Sequence, residues 1–470
     1  MLILMLGAIP LAAGGVRPLQ ASGTSGTAYA WGYNRDSELG NGSTTDSFTP
    51  VQVSLPTGVM ATAMAAGASH SLAIGSDGKL YAWGFNGAGQ LGTGSGTDSP
   101  TPVGVNLPSG VTATAISAGN SHSLASGSNG KLYAWGDNTY GQLGNGSATS
   151  SPAPMVVSLP SGVMATAIAA GAFHSLAIGS DGKLYVWGSN YSGQLGTGRS
   201  ANDSLVPTVV SLPSGGAPTA IAAGGDHSLA IGSDGTLYAW GNGSGTGSAT
   251  PVAVTLPAGV TATTIAAGYS HSLAIGSDKK LYAWGYNGDG ELGNGNTTNS
   301  STPVLVSLPA GVSATAIAGG GNHSLAIGSD RKLYAWGQNT YGQLGNGTTA
   351  NSTTPVLVSL PSGTTPLALG TGPAASHSLA ILSSSPTAAL VAHFHVAHLG
   401  HGVVFHWRVA STTGILGFSL TAGSRQLNRT LIPVHAGSRR YRYTSQSVGS
   451  GSYVLHVVLQ GGGSIAIAES

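Results

Sequence analysis

Seven histidines, each followed by serine, are the residues whose type and spacing could support chemistry in this chain. They begin the tetrapeptide HSLA at intervals of 52, 52, 53, 44, 52 and 54 residues. An imidazole can bind a metal, transfer a proton or contact a partner, so these residues could form a metal ring or an interaction rim. In a third, structural interpretation, each imidazole and its neighbouring hydroxyl satisfy backbone groups where a strand begins. The seven are His70, His122, His174, His227, His271, His323 and His377.

The symmetry of these histidines favours the structural interpretation. Three or four imidazoles must come within about 2 Å of one metal, and a sevenfold ring cannot arrange this unless its channel is very narrow. The sequence therefore predicts no metal site. The seven histidines stay only as a candidate interaction rim.

Residue combinations that common enzymes use are missing. The chain has no cysteine and no GxxxxGK[ST], HExxH or GxSxG motif, which excludes thiol catalysis and leaves phosphate binding, zinc proteolysis and esterase chemistry unsupported. Its only glutamates are Glu38, Glu291 and Glu469, so a paired-carboxylate hydrolase is not expected. We predict a protein that is not an enzyme, with no catalytic residues and no cofactor.

A second repeat shows which elements position the histidines. YAWG or YVWG also occurs seven times, and each unit of about 50 residues contains four short apolar segments bounded by Gly, Pro, Asn and Asp. Such segments are typical of β-strands, and Asp-Gly between HSLAI and LYAWG indicates a tight hairpin. Seven four-stranded units predict an all-β, seven-bladed propeller. The repeated tryptophans, interpreted as packing between blades, are Trp31, Trp83, Trp135, Trp187, Trp240, Trp284 and Trp336.

The repeats begin and end in mid-unit. The first YAWG segment, at Trp31, has no HSLA segment before it, and the last HSLA segment, at His377, has no YAWG segment after it. Pairing the two would close the ring in a composite blade. We place the propeller at residues 23–385.

The pattern AGxxHSLAIGSDGKLYAWGxNxxGQLG resembles the repeat of the regulator of chromosome condensation family over residues 27–382. The resemblance implies a seven-bladed propeller whose closure swaps strands. The founding member of that family is a nuclear guanine-nucleotide exchange factor for a small GTPase. Other members are protein-interaction platforms, and similar secreted bacterial propellers inhibit β-lactamases.

Three units depart from the repeat pattern. The unit around Trp240 is 8 residues short and lacks GQLG, which predicts a notch in the outer rim. The loop around Arg199 carries one extra residue. In the last unit, Gly and Pro before His377 are expected to break the inner strand, and no unit is expected to carry an insertion longer than two residues.

Residues 386–470 differ in kind from the repeats. Seven alternating segments predict a small β-sandwich, and the pieces around Trp407, GFSL and LIPV resemble the fibronectin type III-like module that ends many bacterial surface proteins. Arg439, Arg440 and Arg442 form a candidate basic patch. This patch either docks on the propeller or meets an anionic cell-surface polymer. The sequence leaves open whether the seven histidines of this region bind a metal.

Charge separates the two regions. Residues 1–385 carry ten basic and fourteen acidic side chains, a net −4, whereas the rest carries six Arg and one acid, a net +5. A negative propeller argues against nucleic acid as a partner. We expect a monomer.

Residues 1–22 are an apolar run followed by small residues, and we interpret them as a signal-like segment. The run is too short to span a membrane, and the alternative is a weakly packed N-terminus. A signal segment predicts a secreted or cell-surface location.

These features predict a secreted or cell-surface, non-enzymatic scaffold that binds a protein or a cell-surface polymer on one propeller face. Two alternatives stay open: guanine-nucleotide exchange on a small GTPase, which the family resemblance implies, and inhibition of a secreted enzyme. The sequence does not identify the partner, the binding face or the role of the short unit.

Overall fold

A computed structural model describes residues 25–198, 202–243 and 245–384, and then 391–399, 402–409, 415–422, 425–427, 432–433, 440–445, 453–459 and 464–469. The signal-like segment, residues 1–22, lies outside this part of the chain. The chain divides into two compact units, of which the first holds nearly all residues up to Ser383 and the second holds Ser384–Ser470. The described residues include no helix with the length and apolar character needed to cross a membrane.

The first unit is built from 28 strands. In chain order they are β1 (Thr27–Gly32), β2 (Ser47–Gln52), β3 (Ala61–Ala66), β4 (His70–Gly75), β5 (Leu80–Gly84), β6 (Ser99–Gly104), β7 (Ala113–Ala118), β8 (His122–Gly127), β9 (Leu132–Gly136), β10 (Ser151–Val156), β11 (Ala165–Ala170), β12 (His174–Gly179), β13 (Leu184–Gly188), β14 (Ser204–Val210), β15 (Pro218–Ala223), β16 (His227–Gly232), β17 (Leu237–Gly241), β18 (Val252–Ala253), β19 (Ala262–Ala267), β20 (His271–Gly276), β21 (Leu281–Gly285), β22 (Ser300–Leu305), β23 (Ala314–Gly319), β24 (His323–Gly328), β25 (Leu333–Gly337), β26 (Ser352–Leu357), β27 (Thr364–Leu369) and β28 (His377–Ser384).

These strands form seven antiparallel four-stranded sheets, which confirms the propeller. Blades 1 to 6 take four consecutive strands each, from β3–β6 to β23–β26, and the closing blade has the order β2-β1-β28-β27. The first strands of all seven blades line a narrow central channel of about 170 Å³. Each blade therefore runs from the channel outward, in the order of its strands.

Apolar side chains from neighbouring blades form the core. Leu72 and Ala82 of blade 1, for example, pack in one buried cluster with Ile116 and Trp135 of blade 2. All seven repeated tryptophans are fully buried. The core is thus divided into layers between blades, and no blade buries both of its faces alone.

The closing blade joins the two ends of the repeat region, as predicted. Strands β1 and β28 pair antiparallel from Thr27 opposite Leu382 to Gly32 opposite His377. Strand β2 pairs with β1, so the N-terminal part supplies two of the four strands. Opening the ring would expose a strand edge on both sides of this blade.

The last unit differs from the expectation of a broken inner strand. Strand β27 has six residues, the same length as the other first strands. The glycines and Pro373 lie instead in the connection to β28, which has seven residues, Gly370 to Ser376, where blade 1 has three. The expectation that no unit carries an insertion longer than two residues is therefore wrong. The connection before β27 is two residues shorter than in most other blades, so the repeat length shows only two of the four extra residues.

The unit around Trp240 has a reduced outer edge, as expected. Strand β18 has only two residues, whereas the outer strands of the other blades have six or seven.

The second unit contains β29 (Val391–Leu399), β30 (Gly402–Val409), β31 (Ile415–Ala422), β32 (Arg425–Gln426), β33 (Ile432–Pro433), β34 (Arg440–Ser445), β35 (Tyr453–Leu459) and β36 (Ser464–Glu469). One sheet has the order β29-β30-β34, and the other has the order β32-β31-β35-β36 with β33 paired to β31. The buried rings of Trp407 and Phe418, one from each sheet, meet edge to face at 5.2 Å. A fibronectin type III-like sandwich stays a prediction.

Deleting residues 27–52 removes β1 and β2 and should destabilise the whole propeller. The edge of β28 and the face of blade 1 would lose their neighbours, and the seven layers unfold as one unit. Thermal unfolding followed by tryptophan fluorescence should show a lower midpoint for all blades together, and a variant that melts like the parent would contradict the closure.

A cysteine pair provides the matched control, because the parent chain has no cysteine. Ala28 and Ile381 are direct partners across β1 and β28. The oxidised A28C/I381C variant should melt at a higher temperature than the same variant after reduction, since the disulfide restrains the unfolded chain.

Candidate functional site

The seven HSLA histidines form a closed ring of hydrogen bonds between blades. In each case Nε2 meets Oγ of the HSLA serine in the next blade, as in the pair His122 and Ser175 at 3.0 Å. The other six pairs, from His70 with Ser123 to His377 with Ser71, have distances of 2.7 to 2.9 Å. The ring therefore crosses every blade boundary, including both sides of the closing blade.

Each serine hydroxyl is also a donor, which fixes the direction of the ring. Ser175 Oγ donates to the carbonyl oxygen of Gln142, the Gln of GQLG, at 3.0 Å. The same carbonyl accepts from Trp187 Nε1 at 2.8 Å. Because the hydroxyl hydrogen is used in this way, the serine oxygen must accept from Nε2–H of His122. We call this set of His, Ser, GQLG carbonyl and Trp the latch.

Among the residues that the structure describes, the complete latch is seen at six boundaries. The carbonyls of Glu38, Gln90, Gln142, Gln194, Glu291 and Gln343 accept from both the serine and the tryptophan of the next blade. Blade 4 has no GQLG, and Gly245 lies there against the ring of Trp284, close enough that a Cβ would sit 3.1 Å from Cδ1.

The predicted interaction rim of seven histidines is wrong, because all seven are buried in the latch. The seven imidazoles are at most 1% exposed, so no partner can contact them on the surface. Burial also lowers the pKa of every one, to about 3 for His70 and to about 4 for His122. The histidines are therefore neutral at pH 7 and act as donors to serine. Their role is structural, but each imidazole bonds to a side chain of the next blade and not to the backbone groups that the sequence predicted.

Other predicted residues stand apart from the latch. Among the described residues no group of three or more His, Asp or Glu is arranged to hold a metal. Of the basic patch, Arg440 and Arg442 lie in β34, and Arg439 falls outside the part of the chain that the structure describes.

The two faces of the ring carry different residues. Connections from the first to the second strand and from the third to the fourth strand leave the same side, because successive strands are antiparallel. We call this side the loop face and the opposite side, with the Asp-Gly hairpins, the turn face. In the described connections, the loop face carries nine acidic residues and one basic residue, Arg35, whereas the turn face carries five acidic and seven basic residues. The negative charge of the propeller thus lies on the loop face.

Exposed aromatic side chains follow the same division. Phe85, Tyr140, Tyr191, Tyr269 and Tyr286 lie in loop-face connections and are 37 to 82% exposed. The other exposed aromatic residue of the described propeller is Phe48, which lies near the start of the outer strand β2, close to this face. Exposed aromatic rings contribute strongly to protein interfaces, so the loop face is the better candidate for binding.

A pocket of about 400 Å³ opens on the loop face between blades 3 and 4. Tyr140 and Phe173, in edge-to-face contact at 5.5 Å, form one wall, and Tyr191, Asp203 and Asp226 complete it. Asp226 is half-buried, and this burial raises its pKa. The shared repeat pattern does not reveal the pocket, but Asp226 is a departure from it, since other units have Ser, Asn or Phe at this position.

The long connection of the closing blade also lies at the loop face. Gly372 packs against the carbonyl oxygen of Ala66, and Gly370 packs against Met64, at the end of β3. Gly370, Thr371, Gly372 and Pro373 line the channel together with the first strands. This segment therefore makes one end of the channel asymmetric.

Two latch residues are acids where the other units have Gln. Glu38 Oε2 accepts from the backbone N–H of Asp36 at 3.0 Å, and the residue is fully buried. Desolvation raises the pKa of Glu38 to about 8, and it raises the pKa of Glu291 to about 7. These carboxyls are held near their neutral forms by the core around them.

Comparisons with known proteins agree with this geometry. A family model described as the RCC1-like domain matches residues 3–315, and models of the regulator of chromosome condensation (RCC1) repeat match residues 314–343 and 330–381. The ultraviolet-B receptor UVR8 of Arabidopsis thaliana is 32% identical over 330 residues, covering 70% of this chain and 65% of UVR8. The human E3 ubiquitin-protein ligase HERC2 is 31% identical over 386 residues, covering 78% of this chain and 8% of HERC2. The chain thus spans less than two thirds of these relatives.

Solved structures show the same fold. Human WBSCR16 superposes with a TM-score of 0.68 at 22% identity, covering 76% of this chain and 100% of that chain. Yeast RCC1 (Prp20), solved with Kap60, superposes with a TM-score of 0.69 at 22% identity, covering 82% of this chain and 96% of that chain.

Replacing one latch serine should destabilise the propeller without changing its surface. Ser175→Ala leaves the buried Nε2–H of His122 without its acceptor, which should lower the free energy of unfolding by about 2 kcal/mol. Urea unfolding measures this loss. The control is the exposed Ser161→Ala, and equal stability of the two variants would contradict the role of the latch.

Glu38→Gln should change the pH dependence of stability. Its folded pKa lies above the ordinary value of 4.5, so its stabilising contribution is complete below that value and is lost as the pH rises toward about 8. The free energy of unfolding of the variant should therefore match that of the parent below pH 4.5 and exceed it by up to about 5 kcal/mol above pH 8. The reciprocal variant Gln90→Glu should lose stability in the same way as the pH rises. If the stability of all three proteins depended on pH identically, the raised pKa of Glu38 would be contradicted.

Proposed function

The chain belongs to the family of RCC1-like domains, and from this premise we propose that its propeller is a non-enzymatic scaffold that binds a partner protein on the loop face. The observation that carries the proposal is the contrast between a constant frame and a varied surface. The latch repeats in blade after blade, whereas the loop-face positions beside it differ from one blade to the next. Varied side chains on a rigid ring are suited to recognition.

Binding fits the available side chains better than catalysis. The repeated histidines, which are the obvious bases, are buried in the latch with lowered pKa values. The buried glutamates Glu38 and Glu291 serve as GQLG residues. What the loop face offers to solvent is aromatic surface and carboxylates.

Charge indicates the kind of partner. An acidic loop face attracts a basic surface and repels phosphate, so we propose a basic protein segment as the occupant and not a nucleic acid. The predicted +5 of the C-terminal region offers a second contact, through Arg439, Arg440 and Arg442, to an anionic cell-surface polymer.

The location is part of the proposal. A signal-like segment at residues 1–22 and a fibronectin type III-like module at 386–470 favour a secreted or cell-surface protein of bacterial type, acting as a monomer. Inhibition of a secreted enzyme by the loop face would fit the same location.

One observation favours nucleotide exchange as a second candidate. An exchange factor needs an asymmetric element that pushes on the nucleotide site, and the four-residue insertion between β27 and β28 lies at the loop-face end of the channel. This candidate requires a small GTPase in the same compartment.

Charge reversal on the two faces tests the scaffold. The full chain is used to capture proteins from culture medium and from cell extract, alongside a loop-face variant, Asp36→Lys with Asp289→Lys, and a turn-face variant, Lys183→Glu with Lys332→Glu. The loop-face variant should bind the captured protein at least about tenfold more weakly, since like charges now oppose each other, while the turn-face variant binds as the parent does.

Thermal melting checks that both variants fold. Equal binding by the parent and the loop-face variant would overturn the proposal. A captured GTPase whose nucleotide release is accelerated would establish the exchange factor, and a captured secreted enzyme that loses activity would establish the inhibitor.

A further inference from the structure

We propose that the pocket between blades 3 and 4 binds a lysine or arginine side chain presented by a partner protein. The inference rests on the proposed function, because the pocket opens on the loop face. It adds a specific site and the chemical class of the side chain that fills it.

The pocket exists because one repeat has a small residue where its neighbour has a large one. In blade 2, Tyr140 precedes the Gly of GQLG and packs on Phe173 of blade 3. The residue at the same position in blade 3 is Ser192, and it faces the pocket together with Asp226 of blade 4. An aromatic contact at one blade boundary is thus replaced at the next by open space beside a carboxylate.

Two carboxylates give the pocket its charge. Asp203 Oδ1 accepts from the backbone N–H of Asn190 at 2.9 Å. This bond uses one carboxylate oxygen and orients the group, so the second oxygen can accept from a ligand. Asp226 accepts only a long hydrogen bond, from Gln194 Nε2 at 3.5 Å. The ion pairs found among the described residues all lie on the turn face. Carboxylates that are partly buried close together favour a bound cation.

Three aromatic rings add a second preference for a cation. Tyr140, Phe173 and Tyr191 line the pocket, and Tyr191 is 82% exposed, so it can turn onto a bound side chain. An ammonium or guanidinium group is attracted both to ring faces and to carboxylates, and the aliphatic part of Lys or Arg can pack on Tyr140 and Phe173. The pocket thus matches an amphipathic cationic side chain more closely than a compact metal ion.

A protein is the expected source of this side chain. The acidic residues extend over the loop face beyond the pocket, at Asp36, Asp137 and Asp289, so the surroundings also favour a basic segment. Tyr191 stands out from the surface beside the pocket, where the segment that carries the cation would pass.

The test uses the full chain with three small probes, Nα-acetyl-lysine amide, Nα-acetyl-arginine amide and the neutral Nα-acetyl-norleucine amide, titrated by NMR. The two cationic amides should bind, and the norleucine amide should bind at least about tenfold more weakly. Asp226→Asn should weaken the lysine amide by about fivefold, since it removes a charged partner.

Ser192→Tyr is the most direct variant, because it places in blade 3 the residue that blade 2 accommodates. It should abolish binding of both cationic amides. The control Asp289→Asn removes a loop-face carboxylate of another blade, far along the ring from the pocket, and should leave binding unchanged. Thermal melting confirms that all the variants fold.

The inference is overturned if norleucine amide binds as tightly as lysine amide, or if Ser192→Tyr and Asp226→Asn bind the probes as the parent does. Its failure is distinguishable from that of the scaffold. Partner capture that survives Ser192→Tyr but is lost in Asp36→Lys with Asp289→Lys removes only the pocket, whereas capture that survives both refutes the loop face itself.

Discussion

The backbone carbonyl oxygen at the Gln position of GQLG is the atom on which the rest of the ring depends. It accepts from a tryptophan and a serine of the next blade, and that serine in turn accepts from the histidine of the blade that carries the carbonyl. All of these groups are buried, so none of them can exchange its partner for water. Removing one member would leave at least one buried partner without a hydrogen bond, and the set therefore recurs as a whole.

The same constraint explains much of the composition. Gly119 lies against the imidazole of His122, and Gly144 adopts a φ of 62° against the ring of Trp187, so a side chain at either position would collide with the latch. Repeating such positions in seven blades raises the glycine content to 76 residues. The hydrogen bonds of the latch join imidazole, hydroxyl, indole and backbone carbonyl groups, none of which is charged, and this is consistent with a charged fraction of only 7%.

The sequence predicted the features that repeat, because repetition is visible without coordinates of any kind. The seven blades, the four strands of each blade and the pairing of β1 with β28 all follow from the order of HSLA and YAWG. The partner of each histidine did not follow, since Ser175 lies 53 residues from His122 and only the packing of blades brings them together. The insertion before His377 was hidden because a shorter turn before β27 compensates for half of its length.

The candidate site was missed for a related reason. The residues that share a pattern in the sequence are the residues that hold the ring together. Recognition requires positions that the frame leaves free to vary, and in this ring such positions lie beside the latch on the loop face: Ser192 in place of tyrosine and Asp226 in place of phenylalanine. A net charge of −4 gave no sign of this, because it combines nine acids and one base in the described loop-face connections with a slight excess of bases on the turn face. Since the strands of every blade run in the same sense around the ring, each repeat adds its acids to one face and its hairpin lysines to the other. The polarity of the ring is therefore a consequence of the repeat, and the specificity of any one binding site must come from the blades that depart from it.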